Sequence, residues 1–224
     1  GGDFQPQVNG KPIKNYTAVY MHRGDILSFR GARTGSRGYI AFSSYLDIPV
    51  VMGSRSTNIK CSIGGYKGRR LMDGDYVGFR IKRRYLPYYL SRTLDLDEFD
   101  QDEVTLRVIM GPQDKAFTAA GRKTFLESEY TVTSEFDRMG CRIERESVEH
   151  AGDGNINTDG ISMGSIQVPL NGQPIIMLAD RQSTGGYPKI GTVITVDFAK
   201  IAQARPGQKI RFVEVSLDLA QDLY

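Results

Sequence analysis

Apolar residues come along this chain in short runs, many of them alternating with polar residues. A period of two places successive side chains on opposite faces, which is the pattern of strands with one face buried. It predicts strands over residues 105–110, 129–133, 165–168, 175–178 and 192–196. Three segments repeat one local design: Arg23-Gly24-Asp25-Ile26-Leu27-Ser28-Phe29, Asp73-Gly74-Asp75-Tyr76-Val77-Gly78-Phe79 and Pro206-Gly207-Gln208-Lys209-Ile210-Arg211-Phe212. In each, a glycine makes a turn and a short strand follows. A second echo pairs Val8-Asn9-Gly10-Lys11-Pro12-Ile13 with Leu170-Asn171-Gly172-Gln173-Pro174-Ile175, each a tight Asn-Gly turn entering a strand. The echoes point to two related β lobes.

Two segments depart from this period. Asp114 is placed to cap a helix over residues 115–127, and Asp197 to cap another over 198–204 that Pro206-Gly207 stops. Between the lobes, six of the nine residues from Asp95 to Glu103 are acidic, the composition of a solvated linker. The expected division is a first β lobe at 1–94, the linker at 95–103 and a second β lobe at 104–224. The class is mainly β with a few short helices, and closure into barrels is the natural way to remove so many strand edges.

Composition narrows the function. The 224 residues are 40% hydrophobic and 25% charged, a globular balance, and the 25 glycines fit a turn-rich β chain. A net charge of +3 from 29 basic and 26 acidic residues argues against nucleic acid as a partner. The densest basic–aromatic stretch, Lys82-Arg83-Arg84-Tyr85, reads as a solvated strand end. Cys61 and Cys141 lie far apart and the chain has two histidines, so no metal site is expected. No apolar run reaches the roughly 18 residues that span a bilayer. No membrane association is expected, and the low cysteine count suits a reducing, cytoplasmic setting.

The segment richest in candidate chemistry is Asp180-Arg181-Gln182-Ser183-Thr184-Gly185-Gly186-Tyr187-Pro188-Lys189. An apolar strand delivers Asp180 to its end. A carboxylate, a guanidinium, an amide, two hydroxyls and an ammonium follow within ten positions, and Gly185-Gly186 lets backbone N–H groups approach an anion. The same text also reads as a loop held by an internal Asp–Arg pair. Ser134-Glu135-Phe136-Asp137-Arg138-Met139-Gly140 sets another Asp beside an Arg, either a ligand contact or an ion pair at a turn. Gly53-Ser54-Arg55-Ser56-Thr57-Asn58 and Gly64-Gly65-Tyr66-Lys67-Gly68-Arg69-Arg70 suit a carboxylate or phosphate, or are simply exposed turns. Neither has the spacing of a Walker loop. His22 and His150 have no sequence partner that suggests a nucleophile–base pair, so Ser–His and Cys–His catalysis are disfavoured.

Several of these motifs, taken together, resemble one family. Thr158-Asp159-Gly160-Ile161, Gly164-Ser165-Ile166-Gln167-Val168-Pro169, Gly172-Gln173-Pro174-Ile175 and the run from Ala179 to Ile190 are similar to the motifs of the KipA family, which includes the C subunit of 5-oxoprolinase and the carboxyltransferase part of urea carboxylase. Gly53-Ser54-Arg55-Ser56-Thr57 resembles the family's Gly-Ser-Arg-Ser-Thr. Ser134 with Asp137-Arg138-Met139-Gly140 resembles its Ser-Asp-Arg-Met-Gly, with Glu135 and Phe136 inserted. Tyr45-Leu46-Asp47 stands where a Gly-Gly pair is common. Family members carry several tens of residues ahead of the point where Gly1 joins the pattern, so the first lobe is expected to lack its N-terminal segment.

The resemblance implies cyclophilin-like β-barrel lobes and a partner similar to KipI, or the B subunit of 5-oxoprolinase, beside an ATP-using, amidase-like subunit. The activity it implies is ATP-dependent opening of 5-oxoproline to glutamate. Alternatives are carboxyl transfer to a small amide such as urea, or a regulator that binds and antagonises a KipI-like kinase inhibitor. No cofactor is expected on this chain covalently; biotin or carboxybiotin would be presented by a partner, and ATP used by the complex. On this reading Asp180, Arg181, Lys189 and Asp137 are the catalytic candidates. Arg138, Gln167, Gln182, Thr184, Gly185, Gly186, Tyr187, Ser54 and Arg55 are the substrate-binding ones. Arg181 and Lys189 would hold anionic charge, the Gly185 and Gly186 amides a developing oxyanion, and Gln167 and Gln182 an amide edge.

Overall fold

The computed structural model describes residues 1–80, 87–94 and 102–224. Lys82-Arg83-Arg84-Tyr85 and residues 95–101 of the acidic run lie outside the described residues. The chain divides into two compact units that do not follow chain order. One unit comprises Gly1–Ile13, Ile26–Gly38 and Asp97–Tyr224; the other comprises Lys14–Asp25 and Tyr39–Leu96. Residues 1–13 and 26–38, expected in the first lobe, thus belong with the second.

In the larger unit the N-terminal segments form a small antiparallel sheet of β1 (Gln7–Val8), β2 (Lys11–Pro12) and β3 (Leu27–Ser28). Gln7 faces Pro12 and Val8 faces Lys11, which leaves Asn9-Gly10 as the two-residue turn that this dipeptide predicts. The Arg23-to-Phe29 repeat does yield a short strand, β3, paired with β1. Gln203 secures a neighbouring segment to the barrel unit, accepting from the backbone N–H groups of Ser36 and Arg37 at 2.9 Å each and donating to the Arg37 carbonyl.

The smaller unit holds a hairpin of β4 (Thr57–Asn58) and β5 (Ile63–Gly64). Arg69 grips Asp75 through two hydrogen bonds of 2.6 and 2.7 Å. Those bonds, with one from the Met72 N–H, hold the Asp75 carboxyl well below its ordinary range. Among the unit's described residues only Gly65 and Gly68 are buried.

From Glu103 onward the chain supplies β6 (Glu103–Met110), α1 (Ala119–Glu127), β7 (Tyr130–Phe136), β8 (Gly140–Glu144), β9 (Asp159–Gly160), β10 (Ser165–Gln167), β11 (Ile175–Met177), β12 (Thr184–Gly185), β13 (Lys189–Val193), α2 (Phe198–Gln203), β14 (Lys209–Glu214) and α3 (Leu217–Asp222). Seven strands close a barrel in the order β10-β11-β8-β7-β14-β6-β13. Only the β14–β6 pair is parallel among these described pairings. Closure removes strand edges that an open sheet would expose. The fold is therefore mainly β with a closed seven-strand barrel and short helices.

Alternation builds the core as the sequence predicts. Val104, Leu106 and Val108 of β6, Tyr130 and Val132 of β7, Cys141 and Ile143 of β8, and Ile210 and Phe212 of β14 are all buried. Phe125 of α1 stacks on Phe212, ring centroids 4.5 Å apart, and so fastens the helix to the barrel. Burial pushes the Cys141 thiol up to about 12, so this cysteine packs as a small apolar residue.

The helix starts differ from expectation. Asp114 opens a single 3-10 turn, Asp114–Ala116, and α1 begins after Thr118, whose hydroxyl accepts from the Gly121 N–H at 2.9 Å. Thr118 has the extended backbone of an N-cap. Asp197 does precede α2, but its carboxylate makes no cap bond. It accepts instead from the Arg107 guanidinium at 2.6 and 2.9 Å and from the Arg107 N–H, and pairs with Lys200 at 3.0 Å. Burial alone would raise its pKa, but those bonds outweigh burial and lower it to about 2.

Candidate functional site

Two strands outside the barrel create the site. β9 and β12 pair as a short antiparallel ribbon, Thr184 opposite Gly160 and Gly185 opposite Asp159. Backbone bonds from Ile161 to the Ser183 carbonyl and from Ile156 to the Gly186 carbonyl extend it on both sides. Polar and glycine residues make this ribbon, so its strands carry no apolar alternation to betray them. It lies against β10 at Gly185, where a Cβ would come within 2.8 Å of Ile161 Cδ1 and 2.9 Å of Gln167 Nε2. A larger residue there would have to move the side-chain ends of Ile161 and Gln167.

Lys189 is the first residue of β13, three positions ahead of the strand start expected at 192. Its neighbour Ile190 enters the core, so Lys189 points to the opposite face, toward the ribbon. The side chain is only 5% exposed, and its ammonium donates to Asp159 Oδ2 at 2.8 Å and to the Gly160 carbonyl at 3.0 Å. A buried ammonium requires such partners. An ammonium has three N–H donors, and two find partners here among the described residues. Asp159 is 53% exposed. The hydrogen bond from Lys189, then those from the Gly160 N–H and the Gln113 amide, lower its pKa.

Around this pair lies an open cleft of about 440 Å³ lined by Pro112, Asp159, Gly160, Ile161, Ser162, Ser165, Ser183, Lys189 and Thr192. Ser162 and Ser165 share a hydroxyl–hydroxyl bond of 2.9 Å, and Ser165 stands opposite Thr192 in the barrel. The cleft thus combines one cation, one carboxylate and four hydroxyls with apolar walls from Pro112 and Ile161. Such a lining can receive a small molecule with an anionic oxygen and neighbouring carbonyl or N–H groups. Among the described residues, no group of His, Cys, Asp or Glu gathers to hold a metal ion, and no helix is long and apolar enough to cross a membrane.

The other candidates fall into three places. Arg138 and Asp180 form a bidentate pair at 2.7 and 2.9 Å, both exposed, and the Asp180 N–H also donates to the Arg138 carbonyl. The two motifs are therefore joined by a pair between them. Asp137 turns inward on its own loop, accepting from the Met139 and Gly140 N–H groups.

Arg181 also has a framework role. Its Nε donates to the Ile161 carbonyl at 2.9 Å and its Nη1 to the Leu178 carbonyl, so it holds the wall of the cleft. Gln167 is buried in β10 and donates to the Tyr187 carbonyl at 3.3 Å. Gln182, Thr184 and Tyr187 are exposed, while Gly185 and Gly186 are half-buried in and beside the ribbon. Ser54 and Arg55 lie in the smaller unit, where the Ser54 hydroxyl accepts from Ser56 N–H and Arg55 sits over the Tyr45 ring at 5.9 Å.

Asp159, Gln113, Ser162, Ser165 and Thr192 were absent from the candidates. Asp159 and Ser165 stood inside family-like motifs, and the Asp-Gly step was a usable signal. Gln113 follows Gly111-Pro112 at the end of a well-predicted strand, with no local hint of a partner some 76 residues away.

Residues 1–214 match the family described as carboxyltransferase domain, subdomain A and B, and the chain belongs to that family. It is 35% identical to the C subunit of 5-oxoprolinase from Escherichia coli (strain K12), over 98% of this chain and 69% of that protein. It is 32% identical to the C subunit of 5-oxoprolinase from Haemophilus influenzae, over 100% of this chain and 70% of that one. The crystal structure of the K. lactis urea amidolyase superposes with a TM-score of 0.88 at 25% identity, covering 100% of this chain and 15% of that one. The relatives are thus parts of enzyme assemblies, and the chain spans only a small fraction of the largest of them.

Proposed function

We propose that this chain is the carboxyltransferase-type subunit of an ATP-dependent, 5-oxoprolinase-type assembly in the cytoplasm, acting with a KipI-like partner to open 5-oxoproline to glutamate. The observation that carries the reading is the buried Lys189 ammonium, held on two sides in a cleft of hydroxyls. The names of the two bacterial relatives supply the substrate. 5-Oxoproline presents a planar amide beside a carboxylate, and its ring opening adds one water across the amide C–N bond. The carboxylate, or the oxyanion that develops on the amide oxygen, suits the remaining Lys189 donor and the Ser162, Ser183 and Thr192 hydroxyls. A preorganised donor of this kind contributes about 3 kcal/mol to the transition state. Asp159 keeps the ammonium in place between turnovers.

Within this reading Arg181 shapes the cleft wall, and Arg138 with Asp180 ties the loop after β7 to the loop after β11. Gly185 and Gly186 remain proposed oxyanion donors; Gln167, Gln182, Thr184 and Tyr187 remain proposed contacts to the substrate; and Asp180 or Asp137 remains the proposed proton acceptor. Ser54 and Arg55 remain proposed substrate-binding residues. We assign ATP handling to another, amidase-like subunit.

The urea amidolyase likeness favours one second reading, carboxyl transfer from a partner's carboxybiotin to a small amide. The cleft fits the carboxylate that such a group carries, since the same cation and hydroxyls would receive it. Reconstitution with the KipI-like partner, the amidase-like subunit and ATP separates the readings. Glutamate release from 5-oxoproline supports the first. Carboxylation of urea by added carboxybiotin without glutamate release supports the second. Tight association with the partner and no turnover of either substrate would point to a regulator and overturn both.

A further inference from the structure

The residue that fixes the Lys189–Asp159 pair comes from a third element, the turn after β6. Gln113 uses both ends of its amide. Its Oε1 accepts the Lys189 backbone N–H at 3.3 Å, and its Nε2 donates to Asp159 Oδ2 at 3.1 Å. Asp159 Oδ2 is the same oxygen that receives the Lys189 ammonium, while Oδ1 takes the Gly160 N–H at 2.7 Å. The turn that carries Gln113 is itself pinned to β13. Gly111 N–H donates to the Ile190 carbonyl at 2.8 Å, and a side chain at Gly111 would collide with the Lys189 carbonyl oxygen. Three separate pieces of chain, the turn at 111–113, the start of β13 and the ribbon strand β9, therefore meet in one amide.

We propose that Gln113 is a positioning residue that sets the Lys189 ammonium by bracing Asp159 against the start of β13. The proposal rests on the reading of Lys189 as the substrate-binding cation. Without the brace, the half-exposed Asp159 is free to swing on the two-residue strand β9, and the ammonium loses the fixed acceptor that aims its third N–H. A carboxylate and an ammonium both prefer water to an ill-fitting partner, so orientation here depends on the number of fixed bonds and not on charge alone. Gln113 touches no reacting atom on this account; it acts through Asp159 and through the backbone at Lys189.

The groups that face the Asp159 carboxylate are Lys189, the Gly160 N–H and the Gln113 amide. Loss of the Gln113 donor removes one bond that favours the charged form, and the titration midpoint of Asp159 then rises. This gives a readout independent of turnover. The titration of the Asp159 carboxyl carbon is followed by NMR in the whole chain, for the natural protein, for Gln113→Met, which matches the shape and removes both bonds, and for Gln113→Glu. Glutamate retains an acceptor for the Lys189 N–H but loses the donor and adds a like charge. The expected midpoints rise in the order Gln, Met, Glu, with thermal unfolding little changed. An Asp159 midpoint unmoved in both variants overturns the brace.

In the reconstituted complex, Gln113→Met is expected to lower kcat/KM for 5-oxoproline by about fivefold or more. A raised midpoint with unaltered kcat/KM overturns the positioning role. If the natural complex turns over none of the amides tested, the proposed function fails while the brace is still decided by the NMR order.

Discussion

At the scale of single residues, the chemistry concentrates in a few side chains that the chain holds unusually firmly. Lys189 is the clearest. It was visible as a lone ammonium after a Gly-Gly step, but its burial depends on Asp159 and on the Gly160 carbonyl, about 30 positions earlier. No local pattern announces a partner at that separation. Arg181 shows the converse. Its place beside Asp180 suggested an internal pair or an anion site, yet it donates to two backbone carbonyls and Asp180 goes to Arg138. A charged side chain near a strand end finds the nearest unsatisfied carbonyls, and sequence does not say where those are.

Asp197 supports a prediction at the same scale. Its carboxyl is lowered to about 2 in the folded chain from an ordinary 3.8. The folded value lies below the unfolded one, so its contribution is fully present above the unfolded value and fades as pH falls through 3.8 toward about 2. Asp197→Asn is expected to lower stability by about 2 kcal/mol near neutral pH. Unfolding of the two proteins compared at falling pH checks this: the gap is expected to narrow across that window, and a constant gap would contradict it.

At the scale of elements, long strands with alternating burial were legible and short polar ones were not. β6, β7 and β14 follow from period two because each carries two or three buried apolar residues. β9 and β12, which build the site, are pairs such as Asp-Gly and Thr-Gly that owe their pairing to position on the barrel. The start of β13 was missed because Pro188 and Gly191 mask its pattern. α1 was legible as a helix but not in its start. Thr118→Ala is expected to cost about 1 kcal/mol through loss of the cap, and Asp114→Ala less than about 0.5 kcal/mol, measured by denaturant unfolding. Equal costs would contradict the assigned cap. Gly185→Ala displaces the side-chain ends of Ile161 and Gln167 beside the cleft, so weaker substrate binding with a nearly unchanged barrel is expected, checked by KM and by thermal unfolding.

At the scale of the whole molecule, stability is unevenly divided. The barrel unit carries the buried cluster, including Leu106, Phe125, Tyr130, Ile166 and Ile210. The described part of the smaller unit buries only two glycines and leaves Tyr39, Met52 and Tyr76 largely exposed. Resistance to local opening follows buried apolar contact. Amide hydrogen exchange is therefore expected to be slow in β6, β7, β10 and β14 and fast through β4 and β5. Equal protection would contradict the uneven division. The mainly-β class and barrel closure were readable from runs and glycines. The interleaved division of units was not, because residues 1–13 and 26–38 join the barrel unit through long-range bonds such as those from the Ser36 and Arg37 N–H groups to the Gln203 side chain.

The central claim is that the Lys189 ammonium in the cleft handles the substrate's anionic oxygen. It is tested most directly by glutamate release from 5-oxoproline in complexes assembled with the natural chain and with Lys189→Ala. Asp159 is half-exposed and regains water when its partner is lost, so folding and assembly are expected to survive the change. Turnover is expected to fall at least about tenfold with association intact. Near-normal turnover by the Lys189→Ala complex would contradict the account.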